Sequence, residues 1–595
     1  MDVQAFDLRL YFALGLTLAA GCLSDKESQK DTASTTEDTS EATEPTFCET
    51  QGLASVSFSE GPFGSDYGDL AGDFQLNTLD GPWSFSENWT GCDTYIFLMH
   101  ASGYDYPDQI WNSSVKKFLD ASPLNVHYFF LSYDEGSEEE AVAGIRDHIQ
   151  PKLERRDEEE QAHWSERLHY VTDNAWAAGS IGSVLASRGT WALGIDRSQR
   201  FREIGYLSDP AEGWEGQLKF VTHEARLYNH EVVRDAQIAS WESTTVTAFD
   251  GSPISSDTID FELPDAATMS EFDTLHLELE LGCGDPYTEV CGEWDYLVHA
   301  YNCQRPAVEE NPYSATTCQP YVAATESTEE VAADTLACDC IQPNSETVES
   351  THTCNTEGTG YGDCACSCDE ELGRWVTSYA RSGHWISDVS PLLARFAQGG
   401  TQRVRFSSSY TYENTLTLHL SNSDKAGTPS EIYPLFKGGS FNQDYNSRYE
   451  PIEVDIASDA KRVELFAVIS GHGWGAEVDN CAEFCNHTHH FEVNGVEYTK
   501  EHTFVGNDKG CIDQIENGTV PNQFGTWPYG RGGWCPGKQV DPWIVDVTEA
   551  VTPGEAATIS YKGLFQGADY VPTASGAGQG FGANINMRSH LVISR

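Results

Sequence analysis

Positive charge is what this chain has least of. Its 35 Lys and Arg stand against 93 Asp and Glu, for a net charge of −58 and a pI near 4.4. Such a surface repels phosphate backbones, which excludes nucleic acid as a partner. The acidic residues run through every segment rather than one tail, which suits solubility at high ionic strength. Beyond residue 22 no apolar run reaches the roughly 18 residues that a membrane helix needs, so the mature body is expected to be soluble. Methionine is scarce, occurring only at Met1, Met99, Met269 and Met587. A copper centre that needs a thioether ligand has few candidates here.

Cysteine, by contrast, is abundant. Residues 1–22 end in LYFALGLTLAAGC, an apolar stretch of about a dozen residues closing on small residues and Cys22. It is similar to a bacterial lipoprotein signal, with Cys22 as the lipidated first residue of an exported chain held on the outer membrane, facing periplasm or exterior. Residues 23–47, rich in Ser, Thr, Asp and Glu without apolar periodicity, read as a flexible tether. Setting Cys22 aside from the 17 cysteines leaves 16, an even number that favours disulfides over metal or redox thiols in an exported protein.

The 595 residues suffice for three or four domains. From 48 to 241, strand-length runs such as TYIFLMHA and NVHYFFLSY alternate with segments of helical spacing, and TWALGIDRSQRFREIGYL reads as a hairpin across Asp196. This order resembles a thioredoxin-like domain. A redox member would carry cysteines just after the first core strand, yet Ala101 to Asp108, ASGYDYPD, has none. The domain therefore reads as a redox-dead scaffold with Cys48 and Cys92 bridged.

A helical connector, LKFVTHEARLYNHEVVRDAQIASW, leads into short alternating strands. RVRFSSSY and TLTLHLSN read as two of them. An internal repeat is visible, with WISDVS at 385–390 echoed by WIVDVT at 543–548 and CGEW at 291–294 by CAEF at 481–484. Two similar antiparallel β-domains, 242–425 and 426–595, are expected, each a sandwich or jelly roll. The first is interrupted at 303–368 by an insert with eight cysteines and few large apolar residues, which must be stapled rather than packed.

Three stretches concentrate chemistry. CAEFC places Cys481 and Cys485 around Glu483; a bridge there closes too short a loop to add much stability, so its use is to hold a carboxylate beside Phe484. CGDPYTEVCGEWD offers Cys283 and Cys291 as a bridge just before Trp294 and Asp295. In WPYGRGGWCPG, Cys535 can pair with Cys511, and glycines allow close approach around Arg531 and Trp534.

GHG, CAEFC, THH followed by FEVNG, GRGGWCPG and CGEWD together resemble the peptide-N-glycosidase F family, over roughly 244–595 apart from the insert. The resemblance implies a mainly β fold of two consecutive eight-stranded antiparallel jelly rolls packed side by side, with the site at their interface. It implies hydrolysis of the amide between an N-linked glycan and asparagine, with N-glycosylated proteins or peptides as partners, a monomer, and no metal or other cofactor. Carried over by motif, Asp295 matches the essential acid, Glu483 the second carboxylate and Arg531 an active-site arginine. Trp294, Phe484, Trp534, Arg374 and Val376 match cleft positions, and the implied bridges are Cys283–Cys291, Cys481–Cys485 and Cys511–Cys535. Ser408 stands where the family has a third carboxylate.

Amide hydrolysis needs an activated water, a donor for the developing oxyanion and protonation of the leaving amine. Asp295, partly desolvated beside Trp294, is expected to act as base, with Glu483 positioning water or the sugar amide and Arg531 pairing with Glu483 or the oxyanion. Two other readings exist. HTHH offers His487 and His489 as ligands of a copper-dependent monooxygenase-like enzyme, and Ser408 suits a glycan-binding lipoprotein without activity.

Overall fold

The computed structural model describes residues 45–205, 218–283, 292–303, 305–306, 337–341, 348–353, 368–475, 481–527, 531–572 and 580–595. Cys22, nearly all of the tether, Cys291 and most of the cysteine-rich insert lie outside the described residues. Thr46–Arg595 form one packed unit. Thr46 accepts the Glu49 N–H while Glu49 reaches back to the Thr46 N–H, and this capping box starts the helix Phe47–Gln51 at the end of the expected tether.

The N-terminal domain is a seven-stranded mixed sheet. Its strands are β1 (Gln75–Thr78), β2 (Gly81–Ser84), β3 (Thr94–His100), β4 (Val126–Ser132), β5 (Leu168–Asn174), β6 (Ala192–Ile195) and β7 (Phe201–Glu203), in the order β2-β1-β5-β4-β3-β6-β7. β3, β4 and β5 run parallel. The centre of such a sheet is covered on both faces, which is why β3 and β4 are mostly apolar and buried almost without a break rather than at alternate positions. The β6–β7 hairpin turns at Asp196, whose Oδ1 accepts the N–H groups of Ser198 at 2.8 Å and Arg200 at 3.1 Å. Cys48 and Cys92 are bridged. The helix Leu218–Ser240 then carries the chain out of the domain.

The first β-domain is built on one bent ribbon. β8 (Thr244–Asp265) pairs antiparallel with a strand spanning Gly399–Ser421, so RVRFSSSY and TLTLHLSN are halves of one 23-residue strand rather than two strands. The register breaks between Ser407 and Tyr412, and the two halves take different neighbours. β9 (Thr274–Gly282), with Gly383–Asp388 beyond it, pairs with 413–421; β10 (Leu297–Asn302), with Glu370–Val376 beyond it, pairs with 404–407. Alternate residues of both layers, such as Leu277, Leu279, Val298, Phe406 and Leu418, fill one core. Each ribbon strand thus counts in both layers, which reconciles the long strands with a jelly roll. Within the insert, β11 (Arg305–Pro306), β12 (Ala337–Ile341) and β13 (Val348–Thr353) form a small sheet, and Cys303 is bridged to Cys368 at its base. The strands Glu370–Val376, Gly383–Asp388 and Gly399–Ser421 are β14, β15 and β16.

The second β-domain has two four-stranded antiparallel sheets. One holds β17 (Pro429–Ser440), β19 (Arg462–Gly475), β23 (Trp543–Asp546) and β25 (Gly580–Ser594), in the order β17-β25-β19-β23. The other holds β18 (Ile452–Asp455), β20 (His487–Val493), β21 (Val496–Glu501) and β24 (Ala556–Phe565), in the order β18-β24-β20-β21. β22 (Lys538–Gln539) leaves this domain and pairs with β14 of the first.

The sequence repeat is a repeat of hydrogen bonds. After β15, Asp388 Oδ1 accepts the Ser390 N–H at 2.9 Å and its hydroxyl at 2.5 Å, and Ser390 Oγ accepts the Leu275 N–H at 3.1 Å. After β23, Asp546 Oδ1 accepts the Thr548 N–H at 2.9 Å and its hydroxyl at 2.5 Å, and Thr548 Oγ1 accepts the Val463 N–H at 2.9 Å.

Candidate functional site

Asp295 reaches the site from the turn that precedes β10. Thr377, just past β14, holds that turn on both sides: its hydroxyl donates to the Trp294 carbonyl at 2.6 Å and accepts the Tyr296 N–H at 2.9 Å. The Ala380 N–H donates to the Gly292 carbonyl at 2.9 Å. Trp294 and Tyr296 are left exposed beside the carboxylate, and Tyr410 of β16 lies 5.5 Å from the Tyr296 ring.

Glu483 sits in the turn 481–485 that leads to β20, and two glycines let it be there. A Cβ on Gly471 would lie 1.8 Å from the Ala482 carbonyl oxygen. One on Gly533, whose φ is +77°, would lie 2.8 Å from the Glu483 carbonyl oxygen and 2.9 Å from the Phe484 ring. Beneath the turn, Trp534 Nε1 donates to the Ala482 carbonyl at 3.1 Å.

Arg531 joins the two carboxylates. Its Nη2 donates to Asp295 Oδ2 at 2.7 Å and lies 3.5 Å from Glu483 Oε1, and its guanidinium sits 5.3 Å from the Phe484 ring centre. Burial alone would lower its pKa, but Asp295, Tyr379 and Glu483 outweigh burial and raise it, so the cation is fixed. Burial, helped by Asp295, holds the Tyr379 hydroxyl above its ordinary range and keeps it protonated. Behind Glu483, His472 Nδ1 lies 3.5 Å from Oε2, and His472 Nε2 is hydrogen-bonded to Ser470 Oγ at 2.7 Å.

The structure therefore brings Asp295, Glu483, Arg531, Trp294 and Phe484 together, and it separates other expected residues from the cleft. Arg374 is not a cleft residue: it is buried, ion-paired to Glu371 at 2.5 Å, and donates to Ser470 Oγ and the Asn586 carbonyl at 2.7 Å each. It fastens β14 to β19 and β25. Val376 is also buried, because β14 is flanked by β10 and β22 at that position. Trp534 belongs to the core and supports the Glu483 turn instead of lining the surface. Ser408, half-buried at the bend of β16, accepts the Tyr410 N–H at 3.3 Å.

The bridges are met in part. Cys511–Cys535 is formed. Cys283 is disulfide-bonded, with Cys291 outside the described residues. The Cys481–Cys485 bridge is not formed: Cys481 is a free thiol, and the turn sinks both sulfurs into the core of the second β-domain. The turn is held instead by Trp534 and the two close-approach glycines. Tyr379 and His472 were missed by the sequence reading, since nothing near Tyr379 in the chain announces its contact with Asp295.

His487 and His489 are buried and spend ring nitrogens on one another at 2.7 Å, and His489 also bonds the Tyr561 hydroxyl at 2.7 Å. Among the described residues, Glu278, Glu280 and His384 bring ligand atoms within 4.8 Å of one another on the β9–β15 pair. Burial opposes ionisation of Glu278, yet His384 and His419, each at 2.6 Å, hold its carboxyl down to about 2.

Residues 440–592 match the family model described as peptide-N-glycosidase F, C terminal. A peptide-N(4)-(N-acetyl-beta-D-glucosaminyl)asparagine amidase F from Elizabethkingia miricola is 32% identical over 117 residues, which cover 19% of this chain and 30% of the relative. The match thus spans under a third of that relative's length. The solved structure of PNGase F, a glycosylasparaginase from Flavobacterium meningosepticum, is 15% identical over 59% of this chain and 96% of that one, with a TM-score of 0.36. PNGF-II is 12% identical over 62% and 67%, also with a TM-score of 0.36.

Proposed function

We propose, for a chain whose residues 440–592 belong to the peptide-N-glycosidase F C-terminal family, that the whole protein hydrolyses the amide between an N-linked glycan and asparagine. The observation that carries this reading is the meeting of Asp295, from the first β-domain, with Arg531 and Glu483, from the second, beside two exposed aromatic rings.

The chemistry follows from that arrangement. Water attacks the carboxamide carbon of the glycosylated asparagine, and Asp295, with 25% of its side chain accessible, takes the proton. Arg531 holds both carboxylates in place and opposes the negative charge that develops on the amide oxygen. Glu483 orients the water or the sugar N–H. The C–N bond then breaks, leaving aspartate on the protein and a glycosylamine that takes up a proton. Trp294 and Phe484 offer faces for the apolar sides of sugar rings.

The remaining expectations belong to the same reading. The N-terminal domain is taken as a thioredoxin-like scaffold: β3, β4, β6 and β7 are adjacent, and the helix Asp105–Trp111 that follows β3 contains no cysteine. The bridges Cys48–Cys92, Cys303–Cys368 and Cys511–Cys535, with Cys283 also disulfide-bonded, favour an oxidising compartment outside the cytoplasm. Attachment through lipidated Cys22 and a monomeric state complete the proposal.

Incubation with a denatured N-glycosylated protein tests it. Glycan should be released without added metal and in the presence of chelator, and Asp295→Asn should abolish release. No release from high-mannose, hybrid or complex N-glycans would end this reading.

A further inference from the structure

The loop that carries Arg531 is packed against the N-terminal domain. Trp527, Ile515 and the Cys511–Cys535 bridge lie in the same hydrophobic cluster as the N-terminal sheet. Arg226, on the helix Leu218–Ser240, holds Glu516 at 2.5 Å and donates to the Ile512 carbonyl at 3.2 Å. Deeper in, Asn522 Nδ2 donates to the Phe220 carbonyl at 2.8 Å and to Glu224 Oε1 at 3.1 Å.

Glu224 is the centre of this joint. It is fully buried, and its Oε1 also accepts from Arg381 Nη1 at 2.7 Å. Arg381 in turn bonds the Pro521 carbonyl and lies 3.3 Å from Glu203, so three parts of the chain converge on one guanidinium. Arg381 follows Tyr379 by two positions, and the Ser378 hydroxyl bonds the Arg381 carbonyl. The Tyr379 N–H donates to Gln523 Oε1 at 2.9 Å, and Gln523 Nε2 donates to the Val520 and Pro536 carbonyls at 2.6 and 2.8 Å. Two routes therefore run from Glu224 to the site: through Arg381 to the turn that carries Tyr379, and through Asn522 to the loop that carries Arg531.

We infer that Glu224 is a positioning residue for Arg531 and Tyr379, and that the N-terminal domain serves the reaction by holding the back wall of the site in register. A scaffold that added only bulk would have no need of a buried carboxylate. Cutting one partner of a buried ion pair leaves the other charge stranded, so loss of the Glu224 charge should loosen this joint. Displacing a catalytic group by about 1 Å costs roughly a hundredfold in rate, so stiffness here has a large effect there. This inference rests on reading Asp295, Glu483 and Arg531 as the site.

The test uses the full chain with Glu224→Gln and Glu224→Asp, and Asn522→Ser as a variant that leaves the ion pair intact. Hydrogen exchange by mass spectrometry is followed over 502–537 and 371–381, alongside kcat and KM for glycan release. The expected result for Glu224→Gln is exchange accelerated in those two segments alone, with kcat down roughly tenfold and KM within about twofold. Glu224→Asp should recover part of the rate. Asn522→Ser should accelerate exchange over 502–537 only. Unchanged exchange with kcat within about twofold would overturn the inference, and so would faster exchange throughout the chain, the mark of general destabilisation. If the wild type releases no glycan, the proposed activity fails, while local exchange still decides whether the joint holds the loop.

Discussion

Arg531 donates to Asp295 at 2.7 Å across the boundary between two β-domains, although 236 positions separate them in the chain. The first domain supplies Asp295 and the second supplies Arg531 and Glu483, so Asp295 meets this counter-charge only where the two domains join.

Arg531→Ala should leave Asp295 and Glu483 facing each other without a cation. We expect kcat/KM to fall by about 10²–10³. Arg531→Lys should recover only a small part, since an ammonium cannot span both carboxylates. Steady-state kinetics on a single defined glycopeptide checks both.

Glu371→Gln should destabilise the fold by about 3–5 kcal/mol at neutral pH, because Arg374, which it neutralises, is fully buried. Burial disfavours the Glu371 anion, but Arg374 and His299 hold its carboxyl down to about 2 from an ordinary 4.5. A carboxylate depressed in this way adds stability that is complete above pH 4.5 and is lost as pH falls through about 2. The Tm difference between wild type and Glu371→Gln should therefore shrink over that window.

His487 acts in a separate window. Burial lowers its pKa from 6.5 to about 4, so between those values the unfolded chain binds a proton that the folded chain does not. Stability should fall as pH drops from 6.5 towards 4, and His487→Gln should flatten that slope. Calorimetry at half-unit pH steps distinguishes this from the Glu371 effect.

Gly471→Ala places a methyl 1.8 Å from the Ala482 carbonyl oxygen and must push the Glu483 turn aside. A loss of about 1–3 kcal/mol is expected, with activity falling further than the folded fraction. Circular dichroism melts measured with the rate assay separate the two.

With a net charge of −58, mutual repulsion opposes folding at low ionic strength. Raising NaCl from about 0.01 to 1 M shortens the screening length from about 30 to 3 Å and should raise Tm. A flat or falling Tm would count against charge repulsion as a limit on stability.

Much of the architecture was legible because it is local. The capped turns after WISDVS and WIVDVT need only a Trp-led strand and an Asp two positions before a hydroxyl, so the repeat was visible as letters. CGEW and CAEF likewise marked the two loops that meet. The long ribbon was not legible, because Ser407 to Tyr412 look like a strand end when the bend merely redirects one strand. Arg374 entered through the resemblance alone, because an arginine on a strand gives no sign of whether it faces a cleft or a neighbouring domain. Its partners Ser470 and Asn586 come from strands nearly a hundred or more positions away. Tyr379 and Glu224 fall in the same class, since tertiary packing alone gives them their neighbours.

β22 carries a consequence for anyone who would shuffle this chain. Those two residues, Lys538 and Gln539, belong to the second β-domain by sequence but extend the sheet of the first. The two halves are therefore not interchangeable cassettes. A chimera that takes residues 426–595 from a relative imports a foreign edge for β14 at Trp375 and Val376, and foreign partners for Arg374 in place of Ser470 and Asn586.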